Sequence, residues 1–269
     1  MSKRKRGKSL AILFNILFFI IRIPYYIIRG LYFVVKKLMA NVEKAGINKR
    51  RDKMEANYRE FKTIKTEKGE FSHLESDIMN AENKIGIIVG ARGSGKTAFG
   101  LSFLENFYAK KKSKMYAIGF RKEEMPFWME VVENISGIKN NSFVLIDEGG
   151  ILFSSRRAMS NANKILSDLI LISRHKNISI LFISQNSSNL DVNVIRQADY
   201  IIFKKPSLLQ KNFERKIIRN IYDKIENGFE KYRNYKGLTY IYSDSFEGFI
   251  ENPLPSFWNI KISKSFSEK

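Results

Sequence analysis

The sequence predicts an α/β protein built on a mostly parallel central sheet, and three observations predict it. Short apolar runs rich in β-branched residues, at Ile85–Val89, Phe143–Ile146, Ile178–Ser184 and Tyr200–Phe203, read as strands buried on both faces. Between them lie stretches with apolar residues at helical spacing, such as Phe99, Phe103, Leu104, Phe107 and Tyr108. The first run also opens directly into a glycine-rich loop with a helix behind it, a strand–loop–helix unit that parallel sheets use repeatedly.

Composition sets the outer limits. A chain of 269 residues has room for one sizeable α/β domain and a smaller appendage. It contains no cysteine, which excludes disulfides, thiol nucleophiles and thiolate metal sites. Its two histidines, His73 and His175, are far apart in sequence, so a dedicated zinc site is not expected. The formal net charge is +20 and uneven: residues 1–60 carry fifteen Lys/Arg against four Asp/Glu. Such an excess suits a polyanion, either nucleic acid or an anionic lipid surface.

The N-terminal element is a predicted helix. From Leu10 to Val35 the chain is dominated by Leu, Ile, Phe and Tyr, while Lys8, Asn15, Arg22, Arg29 and Lys36 recur every seven residues. Seven residues fall about 20° short of two helical turns, so these five share one narrow polar stripe on an otherwise apolar helix. The pattern predicts a membrane helix, either lying in the lipid surface or crossing as a single pass. No small-residue cleavage site follows it, against a signal peptide. Residues 38–62 then turn strongly polar and read as a charged spacer.

Chemistry enters at Gly90-Ala91-Arg92-Gly93-Ser94-Gly95-Lys96-Thr97, which fits G-x-x-x-x-G-K-[ST] at every fixed position. Glycines let backbone N–H groups turn inward around phosphates, and the helix N-terminus, beginning through Ala98, adds positive potential. Lys96 is expected to reach the β/γ-phosphates and Thr97 to coordinate Mg²⁺. About fifty residues on, the apolar run Phe143–Ile146 ends in Asp147-Glu148. Asp147 is expected to hold Mg²⁺ through water, and Glu148 to act as general base on the attacking water. The interval leaves room for one strand, Met115–Phe120, the arrangement of RecA-like P-loop ATPases with an inserted strand and a catalytic glutamate. ATP is preferred over GTP because the Asn-Lys segments at residues 83 and 163 lack the aspartate of a guanine-reading motif.

After the acidic pair come Ser154-Ser155-Arg156-Arg157 and a helix of about fifteen residues from near Ser160, with Leu166, Leu169, Ile170 and Leu171 on its apolar face. It ends at Arg174-His175, and the next strand delivers Gln185, followed by Ile195-Arg196-Gln197-Ala198-Asp199. This order of Arg-His, strand, Ser-Gln and Ile-Arg-x-x-Ala-Asp resembles the Zot-like (zonula occludens toxin-like) ATPases of the FtsK/HerA superfamily, over roughly residues 84–205. The resemblance implies a homo-oligomeric ring, commonly a hexamer, that moves DNA. In it Gln185 would sense the γ-phosphate, and Arg174 or Arg196 would serve as an arginine finger toward a neighbouring subunit. Gln185 could instead satisfy a strand end, and either arginine a surface ion pair. Arg156 and Arg157 are candidates for DNA phosphate contacts or for a solvated loop.

The C-terminal stretch 207–236 shows Ile217, Ile218, Ile221, Tyr222 and Ile225 at helical spacing, and Leu238–Tyr242 with Phe246–Ile250 read as a hairpin. The chain thus divides into a basic tail and membrane-anchoring helix (1–37), a charged linker (38–83), an ATPase core (84–206) and a C-terminal extension packed on that core (207–269). The sequence reading is a membrane-associated ATPase, its catalytic domain on the cytoplasmic side, that moves DNA in virus genome packaging, virion assembly or DNA transfer. Membrane lipid and capsid or other assembly proteins are the further expected partners. The alternatives are an ATPase driving protein assembly or export without DNA, and a structural membrane component that only binds nucleotide.

Overall fold

The computed structural model describes residues 3–80, 83–149, 158–259 and Ile262. Arg156 and Arg157, and the side chains of Lys8, Asn15 and Arg22 in the heptad stripe, lie outside the described residues. The chain forms two compact units, Met1–Arg50 and Arg51–Lys269.

The first unit is one helix, α1 (Lys3–Asp52), which runs on two residues past the unit boundary. From Tyr25 to Val42 nearly every large apolar side chain of it is exposed. The expected membrane helix is therefore helical, but among the described residues no helix is long and apolar enough to cross a membrane. Arg22, Arg29, Lys36 and Lys37 interrupt the run before the about 20 apolar residues that a span needs.

The second unit is built on a nine-stranded sheet. Its elements in chain order are β1 (Lys62–Gly69), α2 (Phe71–Asn80), β2 (Ile85–Val89), α3 (Lys96–Lys111), β3 (Lys114–Ile118), β4 (Met129–Val131) and β5 (Ser142–Asp147). They continue with α4 (Ala158–Lys176), β6 (Ile178–Ile183), α5 (Val192–Arg196), β7 (Tyr200–Phe203), α6 (Leu208–Phe213), α7 (Lys216–Lys231), β8 (Leu238–Ser243) and β9 (Phe246–Glu251). The strand order is β1-β9-β8-β7-β2-β6-β5-β3-β4. From β7 to β4 all neighbours are parallel, and β8, β9 and β1 extend the sheet antiparallel beyond β7.

Strand β2 shows why the sequence folds this way. All five of its residues are buried, and its side chains alternate between two cores. Ile85, Ile87 and Val89 pack with Leu166 and Leu169 of α4 and with Ile218, Tyr222 and Ile225 of α7. Ile88 faces the opposite core, with Leu74 of α2 and Phe99, Phe103 and Phe107 of α3. On α3 these three rings follow one another at four-residue spacing, with centroids 5.6 and 4.8 Å apart. Gly86 has no side chain because the Tyr200 ring of β7 fills that space: a Cβ there would lie 2.2 Å from Cε2.

Several expectations change. The stretch 38–83, read as a linker, carries the end of α1, strand β1 and helix α2, and β1 pairs with β9 from Lys62↔Glu251 to Gly69↔Phe246. The hairpin β8–β9 joins the same sheet through β7 rather than packing on it from outside. The 207–236 stretch is two helices, α6 and α7, divided at Glu214 and Arg215. Leu171 and Ile217, counted with the apolar faces of their helices, are exposed. Each directly adjoins a buried neighbour, Ile170 or Ile218, and a helix turns about 100° per residue, so the second of the pair swings off the core-facing stripe.

Candidate nucleotide site

Parallel strands place the loops after their C-terminal ends on one edge of the sheet, which is where α/β folds bind ligands. The loop at residues 90–97 follows β2 on that edge, and the acidic pair stands at the C-terminal end of β5, which is separated from β2 by β6 alone. The loop is pinned to the end of β7: Lys204 N donates to Val89 O at 2.8 Å, and Ala91 N to Lys205 O at 3.2 Å. Gly90 lies so close to β7 that a Cβ there would sit 2.6 Å from Lys204 Cβ. Gly95, with φ 91°, holds the left-handed turn that starts α3.

Lys96 is 7% exposed, and its ammonium donates to Gly90 O at 2.6 Å and Ala91 O at 2.9 Å. Burial lowers its pKa from 10.5 to about 8, against the opposing fields of Asp147, Glu148 and Glu214. Thr97 Oγ1 donates to Asp147 Oδ2 at 3.0 Å, which brings together the two oxygens expected at the metal. Asp147 Oδ1 accepts from Gly149 N at 3.0 Å. The Ser94 hydroxyl is buried with no hydrogen-bond partner among the described residues. Within the loop Ala98 is buried and Arg92 exposed.

Glu148 is 2% exposed and accepts three hydrogen bonds. Ser184 Oγ (2.7 Å) and Gln185 N (3.1 Å) donate to its Oε2, and Asn189 Nδ2 to its Oε1 at 3.4 Å. Gln185, the second residue past β6, is thus brought to the acidic pair by its main chain, while its side chain is close enough that a Cβ on Gly149 would be 3.1 Å from its Nε2. Arg174 and Arg196 are exposed and stand elsewhere. Arg174 is two residues from Lys176, whose carbonyl accepts from Asn141 N just before β5. Arg196 is three residues from Asp199, which takes the Ile85 N–H and the Lys84 ammonium at the start of β2. Both arginines lie by the N-terminal ends of the strands, so neither is gathered at the loop of its own chain. His175 is exposed beside Arg174.

Four residues close to this site escaped the sequence reading, Asn189, Lys204, Gln210 and Glu214, and Ser184 entered it only as the serine before Gln185. Glu214 is buried, accepts from Ser187 N at 2.7 Å and from the Ser187 hydroxyl, and takes Gln210 Nε2 at 2.8 Å. The same Nε2 donates to Gln185 O at 2.6 Å, so α6 is tied to the end of β6. A polar residue ending an apolar strand is a usable signal for Ser184. Glu214 gave none, since it lies in a run of mixed charge.

Residues 98–204 match the family model described as Zonular occludens toxin (Zot). The match begins directly after Thr97 and takes in Asp147, Glu148, Arg174, Gln185 and Arg196. No curated protein matches the chain. Among solved structures, the DNA-packaging ATPase B204 of Sulfolobus Turreted Icosahedral Virus is similar at 16% identity and a TM-score of 0.40, over 64% of this chain and 98% of that one. The N-terminal domain of zonular occludens toxin from Neisseria meningitidis is similar at 19% identity and a TM-score of 0.31, over 46% and 77%. The pCW3 conjugation coupling protein TcpA is similar at 10% identity and a TM-score of 0.44, over 69% and 64%.

Proposed function

We propose that this chain, a P-loop ATPase whose residues 98–204 are of Zot type, uses ATP hydrolysis to move DNA at a membrane surface. The observation that carries the reading is the convergence of Lys96, the Thr97–Asp147 pair and Glu148 beside a loop pinned to β7. The orphaned Ser94 hydroxyl and the loop N–H groups are donors suited to phosphate oxygens. Lys96 supplies the positive charge, held in a dry setting where it acts more strongly than in water.

One hydroxyl and one carboxylate, Thr97 and Asp147, fit a Mg²⁺ ion that takes its other ligands from phosphate oxygens and water. When bound, that ion would neutralise charge developing on the transferred phosphoryl group. Glu148 would take the proton of the attacking water, and its Oε1, which accepts only the long Asn189 bond at 3.4 Å among the described residues, has the acceptor capacity for it. Gln185, bonded through its main chain to that same carboxylate, is suited to report the γ-phosphate.

The coarser parts of the assembly follow from the same reading. Arg174 and Arg196, remote from their own loop, would complete a neighbour's site in a ring, taken here as a hexamer. The basic charge of +20 supports a DNA track. The exposed Tyr, Ile, Phe and Val side chains of α1, beside Arg29, Lys36 and Lys37, support its assignment to the membrane, with the catalytic unit on the cytoplasmic side. Virus genome packaging, virion assembly and DNA transfer are the settings this combination suits, with capsid or other assembly proteins as further partners.

ATP turnover measured with and without duplex or single-stranded DNA tests the reading. Stimulation by DNA is expected in the intact chain, and Glu148→Gln should bind ATP yet lose about 10²–10⁴-fold in turnover. A rate indifferent to both kinds of DNA would leave an ATPase that works on protein partners instead.

A further inference from the structure

Lys204 follows β7 and is 1% exposed, among the most completely buried side chains of the protein. Its ammonium donates to Gly237 O (2.9 Å), Leu238 O (3.3 Å), Thr239 Oγ1 (2.5 Å) and Asn252 Oδ1 (2.8 Å). All four acceptors are neutral. Among the described residues no carboxylate hydrogen-bonds to this ammonium. Phe99 of α3 presents its ring 5.5 Å from the ammonium, and Tyr222 of α7 donates its hydroxyl to the Lys204 carbonyl. Lys96, in the adjoining loop, spends its ammonium on Gly90 O and Ala91 O. Lys205, next along the chain, points to Glu230 at the surface. Burial alone, with no carboxylate contributing, brings the Lys204 pKa down to about 7.

Burying an ammonium is costly unless an anion balances it, a cost that a methionine of similar shape does not carry. Its position says which anion. The stem of Lys204 fills the space against Gly90, and its ammonium is 4.0 Å from where a Gly95 Cβ would stand, so it underlies both ends of the phosphate loop. We propose that Lys204 is a second cation of the nucleotide site, a positioning residue beneath the loop whose missing counter-charge is the bound triphosphate. It touches no phosphate. It supports the loop through Gly90 and Gly95 and adds field from below, while its four acceptors tie the loop to β8 and to the turn after β9.

The proposal rests on the nucleotide reading of the loop and predicts proton-linked binding. A triphosphate above Lys204 favours its charged form, so the pKa rises on binding, and affinity is greatest below pH 7 and falls as pH rises through the bound value. Each unit of that rise is about tenfold in affinity. Lys96 contributes a similar fall, chiefly above pH 8.

The test is titration of the full chain with Mg²⁺ and ATPγS across pH 6–9, as calorimetry in buffers of different ionisation heat, for wild type, Lys204→Met and Asn252→Asp. Wild type should take up a fraction of a proton near pH 7.5 and, for a rise of about one unit, weaken about threefold between about pH 7 and 8 within a total of about tenfold. Lys204→Met should lose the larger share of that uptake and fall, keep only the share of Lys96, and bind weakly throughout. Asn252→Asp keeps the lysine and its hydrogen bond but supplies a permanent carboxylate, so it should lose the linkage too, and it decides the matter where Lys204→Met fails to fold. Unchanged proton uptake in Asn252→Asp, or in a folded Lys204→Met, would overturn the role of Lys204 while leaving nucleotide binding intact. A wild type that binds no ATPγS at any pH would overturn the nucleotide reading itself.

Discussion

Lys96 carries the most consequence of any single residue here. Its ammonium is fixed by two carbonyls of its own loop, so it is already aimed along the inner wall of that loop before it meets any phosphate. A charge-assisted hydrogen bond is worth about 1.5–3 kcal/mol, so Lys96→Ala should weaken ATP binding by roughly 10- to 100-fold. The pH dependence has a definite sign. In the proposed site the phosphate partner would be the protonated amine, whose pKa is about 8, so wild-type affinity should decline above pH 8, and Lys96→Ala should lose that part of the profile. Nucleotide affinity measured by fluorescence across that range checks both, and a flat wild-type profile above pH 8 would remove Lys96 from phosphate binding. At this scale the sequence was informative where spacing alone determines chemistry. Gly90, Lys96, Thr97, Asp147 and Glu148 all stand where fixed motifs put them. Ser184, Lys204 and Glu214 were not readable in that way. Whether a lone polar residue is buried depends on which strands become neighbours, and β6 and β7 flank β2 only in the folded chain.

Elements follow the same division. The strands that the sequence announces are those buried on both faces, because continuous Ile and Val runs need a helix on each side. Strand β1, Lys-Thr-Ile-Lys-Thr-Glu-Lys-Gly, went unannounced because it lies at the sheet edge with only Ile64 partly buried. Its lysines are the usual guard of an exposed edge rather than a sign of a linker. Strand β4 is three residues long and offers no period to detect. The tight step between β2 and β7 gives an element-scale test. Gly86→Ala would drive a methyl into the buried Tyr200 ring, 2.2 Å from Cε2, and neither central strand can retreat. Overpacking of this kind costs about 1–3 kcal/mol. For a domain of this size each kcal/mol lowers Tm by roughly 2–4 °C, readable by thermal unfolding. An unchanged Tm would mean that β2 and β7 are not in the register Gly86↔Tyr200.

At the scale of the molecule, charge and core are unequally divided. Residues 1–50 hold twelve Lys/Arg against Glu43 alone, a net +11 of the total +20, while both hydrophobic clusters lie entirely within Arg51–Lys269. Arg51 belongs with the second unit, where it is buried and its Nε donates to Met125 O at 2.8 Å, so the natural cut falls after Arg50. A chain starting at Arg51 should therefore melt within a few degrees of the intact protein and bind ATP as well. What it should lose is lipid. Each basic residue near an anionic membrane is worth about 1 kcal/mol, and the exposed Tyr, Ile, Phe and Val side chains of α1 add apolar insertion. Sedimentation with phosphatidylserine-containing vesicles should pull down the intact chain and leave the shortened one in solution. Raising salt from about 0.1 M to about 1 M shortens the screening length to about 3 Å, so it should weaken the binding but not abolish it if apolar insertion contributes. Equal sedimentation of both chains would move the membrane contact off α1 and onto the catalytic unit.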